Sequence, residues 1–284
     1  RATEVDFRSS DRFIVGANRD DSGRRSFSGL TPSIGLVLRP RAAVSLYASY
    51  GRGFETPTFA ELAYRPDGSA GFNPELRAAR SDNLELGAKA AWPTLRLNAA
   101  VFAVRTRDDI VVRTNAGGRA SFGNAARTRR EGFEAAAEWT PNERRSLLLS
   151  AALLRARFDE PFLTCGPPPC VAPTLTVAAG NRLPAVPEAT LFAQLRQRIG
   201  AVDLSAQARL QSELYVDDRN SDSAPGYAVV SLTAARTVEW GSHRPRLFAR
   251  IDNLFDKRFA GSVIVNEGSR RFFEPAPGRA LMAG

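Results

Sequence analysis

The sequence predicts an all-β chain, a transmembrane, antiparallel, up-and-down β-barrel. Three observations predict it. Apolar residues recur at every second position over segments of about ten residues, the length a tilted strand needs to cross a bilayer. Short turns alternate with long polar loops between these segments. The 3 tryptophans, Trp92, Trp139 and Trp240, all fall beside the short turns, where an aromatic girdle at one membrane interface would place them.

The pattern is plain from Val44 onward. Val44, Leu46, Ala48 and Tyr50 take one phase, and Ser45, Tyr47 and Ser49 the other, before Gly51-Arg52-Gly53 breaks into a loop. Leu84, Leu86, Ala88, Ala90 and Trp92 then oppose Asn83, Glu85 and Lys89. Trp92-Pro93 turns the chain into Leu95, Leu97, Ala99, Val101 and Ala103, and Phe133, Ala135, Ala137 and Trp139 repeat the phase. Residues 146–156 are rich in leucine and alanine, which favour helix, but their length and the flanking turn signals assign a strand. The cleanest alternation is Val202, Leu204, Ala206, Ala208 and Leu210 against Asp203, Ser205, Gln207, Arg209 and Gln211. Segments 227–240 and 246–254, with a stub at 279–284, bring the total to about eleven strands plus the stub. Helical spacing fits none of them well.

The short turns lie near 39–41, 92–93, 141–142, 199–200 and 241–242. The long loops, rich in Gly, Pro and Arg, are expected at 9–26, 52–79, 108–130, 159–187, 216–226 and 256–278. Segregation of turns to one end and loops to the other is how outer-membrane barrels are wired. No window approaches about 18 consecutive apolar residues, so no spanning helix is expected, whereas a spanning strand needs only half its residues apolar. Apolar side chains are assigned to lipid and polar ones to the lumen. An open sheet edge in lipid leaves backbone groups unpaired. The chain is therefore expected to be part of a larger barrel, with strands before Arg1, a last strand continuing past Gly284, and any targeting segment lying upstream.

The net charge is +9, carried almost wholly by arginine, with Lys89 and Lys257 as the only lysines. This agrees with a base-composition bias or with attraction to anions such as lipopolysaccharide phosphates or a carboxylate ligand. A nucleic-acid partner is not expected, because basic helices, zinc-finger spacings and RNA-binding aromatic motifs are all missing. Catalysis is not expected either. The one histidine, His243, lies in a predicted turn, which leaves no base for a nucleophile. No cofactor or metal is implied. Gly51 and Gly53 lack the third glycine and the helix of a dinucleotide site. The acidic pairs Asp108-Asp109 and Asp217-Asp218 read as solvated loop tips rather than calcium sites. Cys165 and Cys170 flank Gly-Pro-Pro-Pro and are expected to form a local disulfide in an oxidising compartment. Loop arginines remain, because guanidinium forks bind carboxylates bidentately. They are Arg52, Arg65, Arg119, Arg127, Arg129, Arg130, Arg270 and Arg271.

The run G-R-G-F-E-T-P-T-F-A-E-L at 51–62, followed by N-P-E-L-R-A-A-R-S-D-N-L-E-L-G at 73–87, resembles the mid-barrel signature of TonB-dependent outer-membrane receptors. So do A-P-G-Y at 224–227, D-N-L-F-D-K at 252–257 and E-P-A-P-G-R at 274–279. Within that family the loops are most similar to receptors for pyrroloquinoline quinone. That likeness rests on E-L-A-Y-R-P-D-G at 61–68, D-D-I-V-V at 108–112, G-G-R at 117–119 and T-R-R-E-G at 128–132. It rests also on the cysteine loop followed by G-N-R-L-P at 180–184, and on G-S-V-I-V-N-E at 261–267.

The resemblance implies a barrel of about 22 strands around an N-terminal plug, with residues 1–284 as the C-terminal part of the barrel domain and the plug absent. It implies a monomeric outer-membrane transporter, contacting lipid and lipopolysaccharide, that imports a scarce anionic small molecule with energy from the TonB complex, which it would meet through its N-terminal region. Pyrroloquinoline quinone is the expected cargo, and a ferric siderophore the alternative. A surface barrel for adhesion or phage binding is a further alternative. The expected ligand contacts are Arg52, Tyr64, Arg65, Phe72, Arg119, Arg129, Arg130 and Arg270. The arginines would hold the carboxylates while an aromatic such as Tyr64 or Phe72 stacks on the flat rings.

Overall fold

The computed structural model describes residues 1–16, 20–65, 71–116, 119–165 and 173–284. Its main element is an 11-stranded antiparallel sheet. The wall strands, in chain order, are β1 (Ser33–Arg41), β2 (Val44–Glu55), β3 (Ala79–Ala91), β4 (Leu95–Ala116), β5 (Arg119–Asn142) and β6 (Arg145–Phe158). They continue as β7 (Ala189–Ile199), β8 (Val202–Gln211), β9 (Tyr227–Thr237), β10 (Arg246–Asp252) and β11 (Ala280–Ala283). Each pairs with its sequence neighbour, with β1 at one edge and β11 at the other. This is the predicted meander, and residues 146–156 lie inside strand β6 as expected.

Alternation sorts the side chains as an inside-out protein. Ala48, Leu86, Val101, Phe133 and Leu153 share one register line. Val101, Phe133, Leu84, Leu86 and Leu153 are among the exposed large apolar residues. Asn83 and Glu85, on the other face of β3, are half-buried. Tyr47 lies across Gly87, where a Cβ would meet its ring, and donates its hydroxyl to Glu85 at 2.5 Å. Contiguous apolar area on this scale is what hydrocarbon covers in a membrane barrel. Trp92, Trp139 and Trp240 are exposed at the short-turn end, Trp240 at 77 %.

The loops differ from expectation in several places. Within the segment 108–130, expected as a loop, residues 108–116 and 119–130 are instead the outer parts of β4 and β5, paired out to Ala116 and Arg119. The β-branched and aromatic residues Ile110, Val111, Val112 and Phe122 sustain this hairpin. Residues 9–26 contribute to a hairpin of Ala2–Ser9 with Gly23–Leu30. The loop between β2 and β3 contains a helix, α1 (Phe59–Ala63), closed by a capping box between Thr58 and Glu61. Two-stranded pairs also form inside later loops, Phe162–Thr164 with Leu175–Val177 and Ala260–Val263 with Phe273–Pro275.

Among the described residues, the buried hydrophobic clusters lie at the long-loop end, the outer cap. One packs Phe158, Val177, Leu183, Ala125 and Ala156. A second packs Leu214, Val216, Ala224 and Phe272. A third gathers Phe27, Leu62 and Leu76, with Phe7, Phe54, Phe72 and Phe122 against them.

Candidate functional site

The loops above the wall are stitched into one junction, and Asn266 is its centre. Asn266 sits in the loop after β10 with a positive φ of 54°, a conformation asparagine tolerates better than most residues. Its backbone amide donates to the Val216 carbonyl at 3.1 Å. Its side-chain nitrogen donates to the Val112 carbonyl at 2.7 Å and to Asp218 Oδ2 at 3.0 Å. Its Oδ1 accepts from the Asp218 amide at 3.1 Å. One side chain thus joins the β4 hairpin, the loop after β8 and the loop after β10. Gly268 adds a bond to the Asn115 carbonyl at 2.8 Å.

The loop after β6 is tied to the same place. Asn181 Nδ2 donates to the Asp218 carbonyl at 2.9 Å. Asn220 and Arg182 exchange bonds of 2.7 and 2.8 Å. The Arg113 guanidinium reaches from β4 to the Leu163 and Asn124 carbonyls, each at 2.5 Å, and lies 4.8 Å from the Phe162 ring centroid. Asp218 is only 1 % exposed. Burial pushes its carboxyl up to about 6, against the opposing pull of the Asn266 hydrogen bond and the Arg113 charge, while Asp217 adds to the rise. The reading of Asp217-Asp218 as a solvated tip is therefore corrected at Asp218, because polar groups of neighbouring loops cover it.

A second buried polar set lies on the inner face of β4 and β5. Asp108 has φ 55°, and it shifts the alternation so that Thr106 and Asp109, three residues apart, are both buried. Asp109 Oδ2 accepts from Thr128 Oγ1 at 2.5 Å and from Arg130 Nη2 at 2.8 Å. Arg130 also donates to Thr128 Oγ1 at 3.0 Å. Asp109 is thus a fixed partner of Arg130 and not a solvated loop tip.

The sequence-predicted ligand residues divide. Arg130 points inward with this set. Arg52 and Arg129 take the outward phase instead. Arg52 shares a register line with Asp82 and pairs with it at 3.1 Å. Arg129 pairs with Asp159 at 3.3 Å and Glu131 at 3.7 Å. Arg127, also outward, pairs with Glu160 at 3.3 Å. Phe72 is half-buried, stacked edge-on with Phe59 at 5.8 Å, so the third cluster occupies its ring. Tyr64 ends α1 and is 43 % exposed, with half-buried Arg65 beside it. Arg270 and Arg271 are exposed in the loop after β10. The Arg119 side chain lies outside the described residues. Cys165 is disulfide-bonded, and its expected partner Cys170 lies outside the described residues.

Sequence reading missed Arg113, Asp218, Asn181 and Asn266 as structural groups. A signal was present: each is polar within or beside an apolar run, where an unsatisfied group would be costly.

The wall, its lipid-type face and its stitched outer cap define a membrane β-barrel with a loop vestibule. Residues 1–254 match the family model described as TonB dependent receptor-like, beta-barrel, and the chain belongs to that family. Among solved structures it is similar to the ferric yersiniabactin uptake receptor FyuA from Yersinia pestis, at 20 % identity and TM-score 0.70 over 99 % of this chain and 40 % of that one. It is also similar to the siderophore receptor PiuA from Acinetobacter baumannii, at 17 % identity and TM-score 0.74 over 95 % of this chain and 37 % of that one. The copper transporter OprC gives 16 % identity and TM-score 0.72 over 99 % of this chain and 43 % of that one. The chain therefore spans about two-fifths of the length of these structures, and the likeness is one of fold.

Proposed function

We propose that the chain forms the outer-membrane barrel wall and part of the vestibule of a receptor that imports an anionic small molecule, with pyrroloquinoline quinone as the cargo. The observation that carries the reading is where the loop motifs meet. Asn266 of the 261–267 motif, Asn181 of 180–184 and Val112 of 108–112 bond within a single junction. Asp109 of that last motif binds Thr128 and Arg130 of 128–132. Motifs scattered along the sequence thus shape one mouth over a polar lumen.

The ligand set in this reading is Arg130 with the loop residues Tyr64, Arg65, Arg119 and Arg270. The stacking role passes to Tyr64. Arg52, Arg129 and Phe72 leave the set because their side chains are turned or packed elsewhere. A second reading, a metal–siderophore cargo, is favoured by the printed names of the structural neighbours, FyuA and PiuA among them. Energy would come from the TonB complex in either case.

Calorimetry on the receptor purified from outer membranes tests this, with pyrroloquinoline quinone titrated against a ferric siderophore. Saturable binding of the quinone alone is expected. An Arg130→Gln/Asp109→Asn variant, which removes both charges together, should weaken it roughly 10- to 100-fold, the range for a charged hydrogen bond. Siderophore binding without quinone binding would replace the cargo and keep the barrel.

A further inference from the structure

The lumen face of the wall is electrically lopsided. On β2–β5 its charged side chains below the cap are mainly acidic, Glu85, Glu134 and Glu138, with Lys89 and Arg96 among them. On β7–β10 they are mainly arginine, Arg196, Arg198, Arg209, Arg246 and Arg250, against Asp203 and Asp252. The alternate phase of β7–β9 carries Leu191, Leu195, Leu204, Leu210 and Leu232, all exposed. These leucines continue the outward apolar belt of Val101 and Phe133, so the arginines face the lumen.

Two of the arginines are neutralised in place. Arg198 donates to both carboxylate oxygens of Asp203, at 2.6 and 3.3 Å. Arg250 donates to Asp252 through Nη2 at 2.7 Å and Nε at 2.9 Å. Arg196, Arg209 and Arg246 are exposed and have no ion-pair partner among the described residues. The register spaces these three evenly. Arg209 lies opposite Val229, Arg196 lies on the line of Ser205 and Thr233, and Arg246 lies opposite Thr237. Each step is four residues along β9, about 14 Å at the rise of an antiparallel strand. The series descends from below the cap to the short-turn end.

The surroundings change with depth. At the top the Arg209 guanidinium lies 5.9 Å from the Phe192 ring centroid. Tyr227, nearer the cap, stacks on Phe259 with centroids 4.1 Å apart. At the bottom Arg196 and Arg246 line an open cleft of about 550 Å³ with Gln194, Ser205, Gln207 and Thr233. Arginine-lined walls select anions, and passage needs several sites, each weak enough to release what it binds. Guanidinium forks hold carboxylates bidentately.

We propose that Arg209, Arg196 and Arg246 are successive low-affinity stations for an anionic small molecule, which passes down the β7–β10 side of the lumen. The inference rests on the anionic-cargo reading above and adds the route that the cargo takes after leaving the mouth. The argument is charge complementarity: the unpaired guanidinium groups lie on one side only, and the facing strands β2–β5 present carboxylates that repel the same cargo. Arg198 and Arg250 are left out because Asp203 and Asp252 already occupy their forks.

The test uses the full receptor in cells that carry the TonB complex. Uptake of pyrroloquinoline quinone is measured, with an anionic ferric siderophore in parallel, and equilibrium binding is measured on the purified receptor. Heat-modifiable gel mobility checks that each variant is folded. In an Arg196→Gln/Arg209→Gln/Arg246→Gln variant the maximal uptake rate should fall at least tenfold, while binding stays within twofold. The corresponding triple Arg→Lys variant should keep at least half the native rate, because it keeps the charge. Each single Arg→Gln change should slow uptake several-fold, a readout that stands if the triple variant does not fold. Glu134→Gln, on the facing side, should leave uptake undiminished. Hydrogen exchange in the plug of the resting receptor should be the same in native and triple Gln proteins. Equal uptake of the imported anion by native and triple Gln receptors would overturn the route. Faster exchange in the plug would overturn it too, by assigning the arginines to plug packing. A native receptor that imports the siderophore and not the quinone would overturn the quinone reading alone, and the variants are then compared on the siderophore. A native receptor that imports neither anion would overturn the anionic-cargo reading and the route with it.

Discussion

In the wall, Leu84, Leu86 and Val101 are exposed while Asn83 and Glu85 are half-buried. In the cap above it, Phe158, Leu62 and Val216 are buried at 0 % exposure and the charged residues Arg270 and Arg271 are exposed. The two regions invert each other because their surroundings differ. The wall face is solvated by hydrocarbon and its backbone is satisfied by the ladder. The cap stands in water and must build its own cores. The difference teaches that a single chain can follow two burial rules, and that the boundary between them lies where outward residues change from leucine and alanine to arginine.

The contrast can be broken most strongly in the cap. Phe158→Ala removes a fully buried ring that stacks on Phe162 at 4.9 Å. It should cost about 3–5 kcal/mol locally, read as faster hydrogen exchange at Gly180 and Leu183, while barrel insertion is unchanged. On the wall the direction reverses. Val101→Arg, in the middle of the belt, should cost about 2–4 kcal/mol of barrel stability, whereas the same change at exposed Phe273 in the cap should cost far less. Denaturant titration in lipid vesicles measures both, and equal costs would mean that the face assignment is wrong.

Asp218 sharpens the comparison, because its buried carboxyl belongs to the cap alone. Its folded-state value, about 6, lies above the ordinary 3.8. The junction is therefore favoured most below about pH 3.8, where the carboxyl is protonated in both states, and that advantage is lost as pH rises through about 6. The difference corresponds to roughly 3 kcal/mol. Asp218→Asn keeps an oxygen for the Asn266 amide and cannot ionise. It should protect the Gly268 amide more than the native residue does at pH 7, and equally at pH 4. Unchanged protection between pH 4 and pH 7 in the native protein would show that Arg113 fully compensates the buried charge.

The wall was legible in the sequence because a period of two, repeated from Val44 to Leu210, reports a face regardless of what covers it. The turns followed from Pro93, Pro141 and Gly200. The hairpin at 108–130 was not legible, because its many arginines and glycines carry the composition of a loop while the ladder between β4 and β5 continues. The ligand arginines were legible as a residue type and not as directions. Arg129 and Arg130 are neighbours in sequence, and alternation sends one to the outer surface and the other to the lumen. Asp109 escaped for a similar reason, since the left-handed Asp108 changes the phase just before it. The junction residues escaped because Asn266 bonds to Val112 and Asp218, partners 154 and 48 positions away.

The smallest expected effect concerns α1, the one helix among the described residues. Thr58 Oγ1 accepts from the Glu61 amide at 3.3 Å, and Glu61 Oε2 accepts from the Thr58 amide at 2.7 Å. A helix of 5 residues is too short to persist on propensity alone. It is held by this box and by Leu62, which is buried against Phe27 and Leu76 and whose carbonyl accepts from Asn73 at 2.8 Å. Thr58→Ala should therefore cost about 1 kcal/mol, seen as faster exchange at the Leu62 amide with no change at Gly268. Because Tyr64 is the residue that ends α1, the same variant should weaken quinone binding by a few-fold if Tyr64 stacks on the ligand. Faster exchange at Leu62 with unaltered affinity would remove Tyr64 from the ligand set and leave α1 as a purely structural device of the cap.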